Sequence, residues 1–500
     1  MARTSVEIVF GLFDVTAKDD STVVMSDNMA FAVAQDLAAE IPTPAPVATL
    51  EPDFWALDGS LELFPNNPAN YHWGIWSQQM SDTSGHFAPA PQITVNFTQN
   101  HTSIGITLYF YGDCYASSVL ATWYNAAGGI ISSGVYTPNS MTYFINNNVV
   151  DYRKVVLVFS GTSKPSRYLR IYNIEYGALR VFGRNDLISA GISEAVNPLS
   201  AEININTLSF QAHSDDDDFN IINPAGVYAV LQQRQPLTVY KIIDGEKQQI
   251  GIYYLDEWKN ISEKTVSMTA VDILGIIDGT PFAGGTYTNK PLPALMSEIF
   301  ADTRAAYELD SSFSGILITG KLDPVTCREA LQQVAFVIGA TVDVGRQNIV
   351  SILPMPTGTP SQTIPNGSKF LGQKITLLPL ITGVEVTAHS YVGDTDTQTV
   401  YGYYDTNLPA GAKQNIISVT DATLAHAGNA AAIAKRIYDY YQHRHKNEFE
   451  IILDAEQAGQ LITAGVYNGA YLAGIVESVN INLTGGMRGK ITLVGTPVEV

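Results

Sequence analysis

From about Gln92 the chain breaks into short β-runs at near-regular spacing, separated by Gly, Asn and Ser: "ITVNFT", "SIGITLYFY", "VLATWYN", "GIISSGVYT", "MTYFIN", "VVLVFSG" and "YLRIYNIEYGALRVF". Each run is too short for an amphipathic helix and is rich in the β-branched and aromatic residues that suit a pleated surface. Repetition of this kind predicts a β-sandwich from Gln92 to about Gly183. The composition agrees, with 46% hydrophobic residues against 15% charged, 26 Tyr and 19 Phe, which describes an ordered, β-rich chain. Its 500 residues exceed one ordinary core, so roughly three or four domains are expected.

Outside the sandwich the pattern is mixed. "MARTSVEIVFGLFDV" reads as a strand at Thr4–Phe13, because a Glu interrupts the apolar run and no small-residue cleavage pattern follows, so no signal peptide is expected. The Pro-rich "IPTPAPVATLEP" suits an extended connector. After a strand at Glu202–Ala212 come the acid run "HSDDDDFN" and a helix that Asn223 caps with Pro224 at its first position. "LTVYKI" and "QIGIYYL" flank an Asp244-Gly245 turn and lead to "KTVSMTAVDIL", an antiparallel meander.

Residues 291–356 predict two helices, the second capped by Asp323 with Pro324 at N1. Its apolar face is Cys327, Leu331, Val334, Ala335 and Ile338, ending at Gly339, and a hairpin "ATVDVGRQNIVSIL" follows. "PMPTGTPSQTIPNGS" is a linker by composition. A long helix is expected from about Asp421 to His445, with Lys435, Arg436, His443, Arg444, His445 and Lys446 as a solvated basic face near its C-terminus. The segments from Gly251 and Gly474 share a Gly-Ile strand, a polar turn, a Lys and a second strand, suggesting two related β-domains.

The chemistry is sparse. With 48 acidic and 28 basic residues the formal charge is −20, which disfavours specific binding of nucleic acid or of anionic membranes. No uncharged apolar run is long enough for a membrane-spanning helix, so a soluble protein made in the cytoplasm is expected. Without a secretory signal, the sequons at Asn96, Asn100, Asn260, Asn366 and Asn482 carry no weight.

Cys114 and Cys327 have no partner motif. An EF-hand loop starting at Asp216 fails, with Ile221 where Gly belongs and Val227 where an acid belongs. "GILITGKL" (Gly315–Leu322) matches a P-loop until Leu322 replaces the hydroxyl residue, and its interior is strand-like. The eight histidines are scattered and read as surface or satisfied side chains. No catalytic, cofactor-binding or metal-ligating residue is assigned, and no enzyme is expected. Trp73, Trp76 and Trp123 are candidate glycan contacts, although a Trp in a sandwich more often packs inside it.

Several segments together resemble a known family. They are "EPDFWALDGSLELFP" (51–65), "DDDDFNIINPAGVYAVLQQRQPLTVYK" (215–241), "YLDEWKNISEKTVSMTAVDILG" (254–275), "ITGKLDPVTCREALQQVAFVIGATVDVGR" (318–346) and "GIVESVNINLTGGMRGKITLVG" (474–495). Together they are similar to tail or baseplate hub proteins of phages, or phage-tail-like particles, of Gram-positive bacteria. These hubs are relatives of the contractile-tail baseplate hub and of the N-terminal part of siphophage tail-associated proteins.

The resemblance implies a mainly β fold with minor α (α+β), comprising two hub β-barrel domains, an inserted β-sandwich and a small α/β domain. The expected divisions are an N-terminal hub segment and connector (1–60), a galactose-binding-like sandwich (61–183), the first hub barrel (184–290), a small α+β domain (291–360) and the second hub barrel with the long helix (361–500). It further implies a homotrimer at the virion tail tip or baseplate, in a ring that joins a sixfold tube to a threefold tip. Its implied neighbours are the tail tube or distal tail protein, the tape-measure protein and tail tip or spike proteins. An acidic lumen would let DNA slide without sticking. No lytic domain is expected after Val500. The alternative is an adhesin that binds cell-wall glycan through the 61–183 sandwich.

Overall fold

The computed structural model describes residues 4–26, 29–30, 49, 51–54, 58, 74–213, 231–244, 246–303, 305–392, 395–408, 411 and 413–499. The chain is mostly β with few helices. Thr4–Phe13 is a strand, as its alternation predicts. The acid run after His213, the helix expected from Asn223 and most of the Pro-rich passage lie outside the described residues. The chain divides into two units, one of residues 1–9, 181–215 and 236–500, the other of residues 10–180 and 216–235.

The second unit contains the predicted repeated strands up to Glu175, whereas Gly177–Phe182, the last part of the expected sandwich, pairs with Thr4–Phe13 in another sheet. In order across its sheet the strands are Ile75–Ser77, Arg170–Glu175, Gln92–Phe110, Thr142–Thr162, Ala116–Tyr124 and Ile130–Tyr136, with Thr22–Met25 also on Gln92–Phe110. All these pairings are antiparallel. Alternate residues point inward, so Val119, Ala121 and Trp123 from one strand meet Val155, Leu157 and Phe159 from the next in one core. Breaks in register between Asn96 and Gly105 bend the longest pair. Gly105 sits at such a break with φ 151°, where a Cβ would lie 2.0 Å from the Ile145 carbonyl oxygen, so a side chain is excluded there.

A short helix, Val15–Asp20, is fastened to this sheet by buried charges. Asp14 caps it by accepting from the Ala17 amide. His101 lies between two carboxylates, its Nδ1 2.9 Å from Asp14 and its Nε2 2.9 Å from Asp20. Burial alone would raise the Asp20 pKa, but hydrogen bonds from Thr98, His101 and Gln99 outweigh it and bring the carboxyl down to about 2.

In the first unit one sheet runs Pro236–Ile243, Glu246–Ser262, Thr265–Val271, Thr207–His213, Leu187–Ala195, Tyr471–Asn482, Arg488–Val498, His445–Ile452 and Lys374–Leu377. The predicted meander is its first part, and Asp244 supplies the left-handed turn residue with φ 51°. "GILITGKL" becomes the strand Leu317–Leu322. The hairpin Ala340–Asp343/Ile349–Pro354 forms as expected.

Helices Leu292–Phe300, Cys327–Ile338 and Ala430–Tyr441 share one core, so the segment expected as a small α+β domain packs with the helix that follows it in sequence. Cys327–Ile338 buries Cys327, Leu331, Val334 and Ala335 and ends at Gly339 in the left-handed conformation. Its cap differs from expectation. Thr326, not Asp323, accepts from the Glu329 amide at 3.2 Å, and the Glu329 carboxylate accepts from the Thr326 amide at 2.9 Å. Reciprocal capping satisfies two orphan donors at once, which displaces Asp323-Pro324 into the preceding loop.

The last helix is also shorter than expected, Ala430–Tyr441. Gly428 and Asn429 lie in the turn before it, where the Asn429 side chain accepts from the His426 amide at 2.7 Å. His445–Ile452 is a strand whose Asn447, Phe449 and Ile451 alternate inward. The basic residues do not share one solvated helix face. Lys435 pairs with Asp439, whereas the Arg436 guanidinium donates to the Phe336 and Val337 carbonyls at the end of the neighbouring helix. Burial lowers the Arg436 pKa to about 10.

Thr326→Ala should cost about 1 kcal/mol in urea denaturation. Asp323→Ala should stay within about 0.5 kcal/mol of the parent, since that carboxylate is exposed.

Candidate functional site

Leu187–Ala195 is bonded along both edges, to Thr207–His213 and to Tyr471–Asn482, and so joins the two halves of the sheet. Ala190, Ile192, Glu194 and Val196 point inward in alternation, which places a carboxylate in a slot that would ordinarily take an apolar side chain. A buried charge needs a partner. Arg346, from the turn of the 340–354 hairpin, supplies it through a two-pronged contact, Nε to Oε1 at 2.9 Å and Nη2 to Oε2 at 3.1 Å. The same Nη2 donates to the Glu456 carbonyl at 2.8 Å. Burial opposes the Arg346 charge, but Glu194 more than offsets this and the pKa rises.

Two further acids stand near. Burial pushes Asp343 up despite its hydrogen bond from the Gly345 amide at 2.9 Å, and Glu194 adds to the rise. Asp272, fully enclosed, caps the short helix Ile273–Asp278. It accepts from the Leu274 amide at 3.0 Å, the Gly275 amide at 3.4 Å and the Asn206 amide at 3.1 Å. Burial outweighs those bonds and raises its pKa to about 7. The Asn206 side chain in turn accepts from the Ala195 amide at 2.9 Å, tying this corner back to the central strand.

A carboxyl near pKa 7 has the proton affinity of a general acid, but Asp272 is sealed from solvent and its oxygens are engaged by main-chain amides. Its work is to fix three chain segments. Among the described residues no group of three His, Cys, Asp or Glu is placed to hold a metal ion. What the arrangement provides is a rigid joint between two halves of a sheet.

Each half contains one hairpin of similar build. The Gly-Ile segments from Gly251 and Gly474 each lie in the first strand of a long antiparallel hairpin, Glu246–Ser262/Thr265–Val271 and Tyr471–Asn482/Arg488–Val498. Each first strand carries a bulge at an acidic residue, Asp256 in one and Glu477 in the other. A bulge places one extra residue on its strand and increases the local twist.

The three tryptophans fare differently. Trp73 lies outside the described residues. Trp76 is 4% exposed, with the Arg170 guanidinium 4.4 Å from its ring centre and Tyr111 edge-on to it at 6.2 Å. Trp123 is wholly buried, because its strand alternates inward at Val119, Ala121 and Trp123. Both placed rings, expected as candidate glycan contacts, are packed inside the unit. Arg170 is paired with the buried Glu51. Neither this pair nor Glu194–Arg346 carries a local sequence signal.

No family model matches the chain, and no curated protein matches it. Among solved structures, the prophage MuSo2 43 kDa tail protein of Shewanella oneidensis aligns at 12% identity and TM-score 0.46, over 63% of this chain and 96% of that one. The prophage tail protein gp18 of Listeria monocytogenes aligns at 12% identity and TM-score 0.44, over 64% and 91%. The E. coli c3393 protein, a type VI secretion component described as structurally similar to the T4 tail proteins gp27 and gp5, aligns at 10% identity and TM-score 0.37, over 62% and 74%.

Because the Asp272 pKa is raised in the folded state, the native chain binds a proton that the unfolded chain has released between about pH 4 and pH 7. Stability should therefore fall as pH rises through that window, by up to about 1.4 kcal/mol per unit from this group, and Asp343 acts in the same direction. Asp272→Asn keeps a capping side chain and should flatten the slope in denaturation curves taken across the window. Arg346→Ala, which leaves Glu194 buried and unpaired, should cost about 3–5 kcal/mol at neutral pH.

Proposed function

We propose that the chain is a structural tail or baseplate hub of a phage-type particle. Three copies form a ring at the tail tip that joins the sixfold tube to the threefold tip and surrounds the channel for DNA and the tape-measure protein. The observation that carries this reading is the doubled, bulged hairpin within one sheet. A chain holding two like hairpins presents six like units when three copies close about a threefold axis, which is what a sixfold tube requires of its neighbour. The buried ion pair at the joint keeps the halves in fixed relation.

The charge of −20 supports the same reading, since an acidic lining repels the DNA backbone and leaves it free to slide. The working partners are a second and third copy of the chain, the tube or distal tail protein on one side and tip or spike proteins on the other. The role is architectural, and no reaction is assigned.

Sedimentation of the purified chain should give three times its 54.2 kDa mass, and antibody labelling should mark the tail tip of intact particles. A single copy at every concentration, together with absence of the chain from purified particles, would overturn the proposal.

A further inference from the structure

Residues 114–150 contain no Asp, Glu, Lys, Arg or His, in a chain with 76 Lys, Arg, Asp and Glu residues in all (28 basic and 48 acidic). They form Ala116–Tyr124, Ile130–Tyr136 and the first part of Thr142–Thr162. The strand register shows what this uncharged stretch builds. On the side away from the core, Leu120 stands between Val158 and Val135, and Thr122 stands between Val156 and Ser133. The row through Val156 continues across Thr94 to Val24.

The result is an open sheet face of aliphatic and hydroxyl side chains. Val135 is 68% exposed, Val24 51% and Leu120 38%. Lys154, lying over the Tyr124 ring at 4.0 Å, borders it. Among the described residues Ile130–Tyr136 pairs only with Ala116–Tyr124, so its outer edge is open as well, and a register break beside Ile131 leaves Ile130 and Ile131 both outward. Edge strands in monomeric proteins are commonly blunted by Lys, Pro or an inward charge. This one carries none of them.

We infer that this uncharged face and edge form a contact between copies of the chain. Charge selects the occupant. A basic partner would be met most favourably by carboxylates, which the chain has in excess. A second copy bears the same −20 charge and is repelled wherever carboxylates face each other. A surface emptied of both signs suits a partner emptied of both signs, and the chain supplies it as a face and as an edge, so that the edge of one copy meets the face of the next in the head-to-tail contact that a ring of three requires. Exposed aliphatic side chains and an open main-chain edge suit another sheet or strand better than a sugar, for which aromatic faces are the usual platform.

Five strands about 4.8 Å apart make the face about 20 Å wide, and two or three rows of side chains make it about 14 Å deep. That is roughly a third of the area per partner of a standard interface. The face is thus one contact within a larger assembly, and the inference rests on the trimeric reading above.

The test uses the full chain with Leu120→Lys and Val135→Lys together. Sedimentation equilibrium should show the trimer dissociating at least about tenfold more readily than the parent, with an unchanged thermal melt by circular dichroism. Parent and variant trimers of equal strength would overturn this contact and leave the trimer standing. A parent that stays at one copy at every concentration would overturn both.

Should the double variant fail to fold, Val135→Lys alone decides, since that side chain is 68% exposed. A folded single variant whose trimer is as strong as the parent's would overturn the contact.

Discussion

The larger unit depends on one strand being hydrogen-bonded along both edges. Leu187–Ala195 takes Thr207–His213 on one side and Tyr471–Asn482 on the other, so segments almost three hundred residues apart in sequence become neighbours in one sheet. Such a strand has no freedom to slip, because a one-residue shift would turn Ala190, Ile192 and Val196 outward and take Glu194 away from Arg346. The two-pronged contact is thus available in this register and not in its neighbours. Two apolar side chains of similar volume could fill the same space at no loss of stability, but they would not distinguish one register from the next through a two-pronged contact.

The other unit uses the same device at its N-terminal helix. The helix Val15–Asp20 is too short to persist alone, and His101 holds it by contacting Asp14 before its first turn and Asp20 at its last residue. Phe97 and Tyr152 flank the imidazole, with ring centres 5.0 and 6.3 Å away, and keep water from competing for it. In both units, then, a polar side chain distant in sequence holds a segment that local propensity leaves undetermined.

That division explains what could be read from the amino-acid order. Strands were legible where alternation is strong, as at Thr4–Phe13 and through the strands between Gln92 and Glu175, and the turn at Asp244 was legible from its dipeptide. The helix Cys327–Ile338 showed its buried face, but its cap was misplaced. Asp323-Pro324 is a good start signal, and the better one, Thr326 with Glu329, lay three residues on. The last helix was overextended because basic residues after Tyr441 suit a helix end as well as a strand, and the alternation of Asn447, Phe449 and Ile451 decides for the strand. The joint itself was invisible: Glu194 and Arg346 are separated by 152 positions, and neither stands in a motif.

Burial and charge pull against each other throughout this chain, and the balance differs by location. Inside, each acid of the joint is engaged, Glu194 by a guanidinium and Asp272 by amides, because an unsatisfied carboxylate there would cost more than the packing around it returns. The chain as a whole keeps an excess of acidic residues, 48 against 28 basic, and every additional copy brought into an assembly adds to the repulsion. Charge placed away from a contact lowers that repulsion. The uncharged stretch 114–150 is the place in this sequence where that separation is most complete. Its inward residues, Val119, Ala121 and Trp123 among them, pack in the core, and its outward residues carry the absence of charge onto an open sheet face and edge.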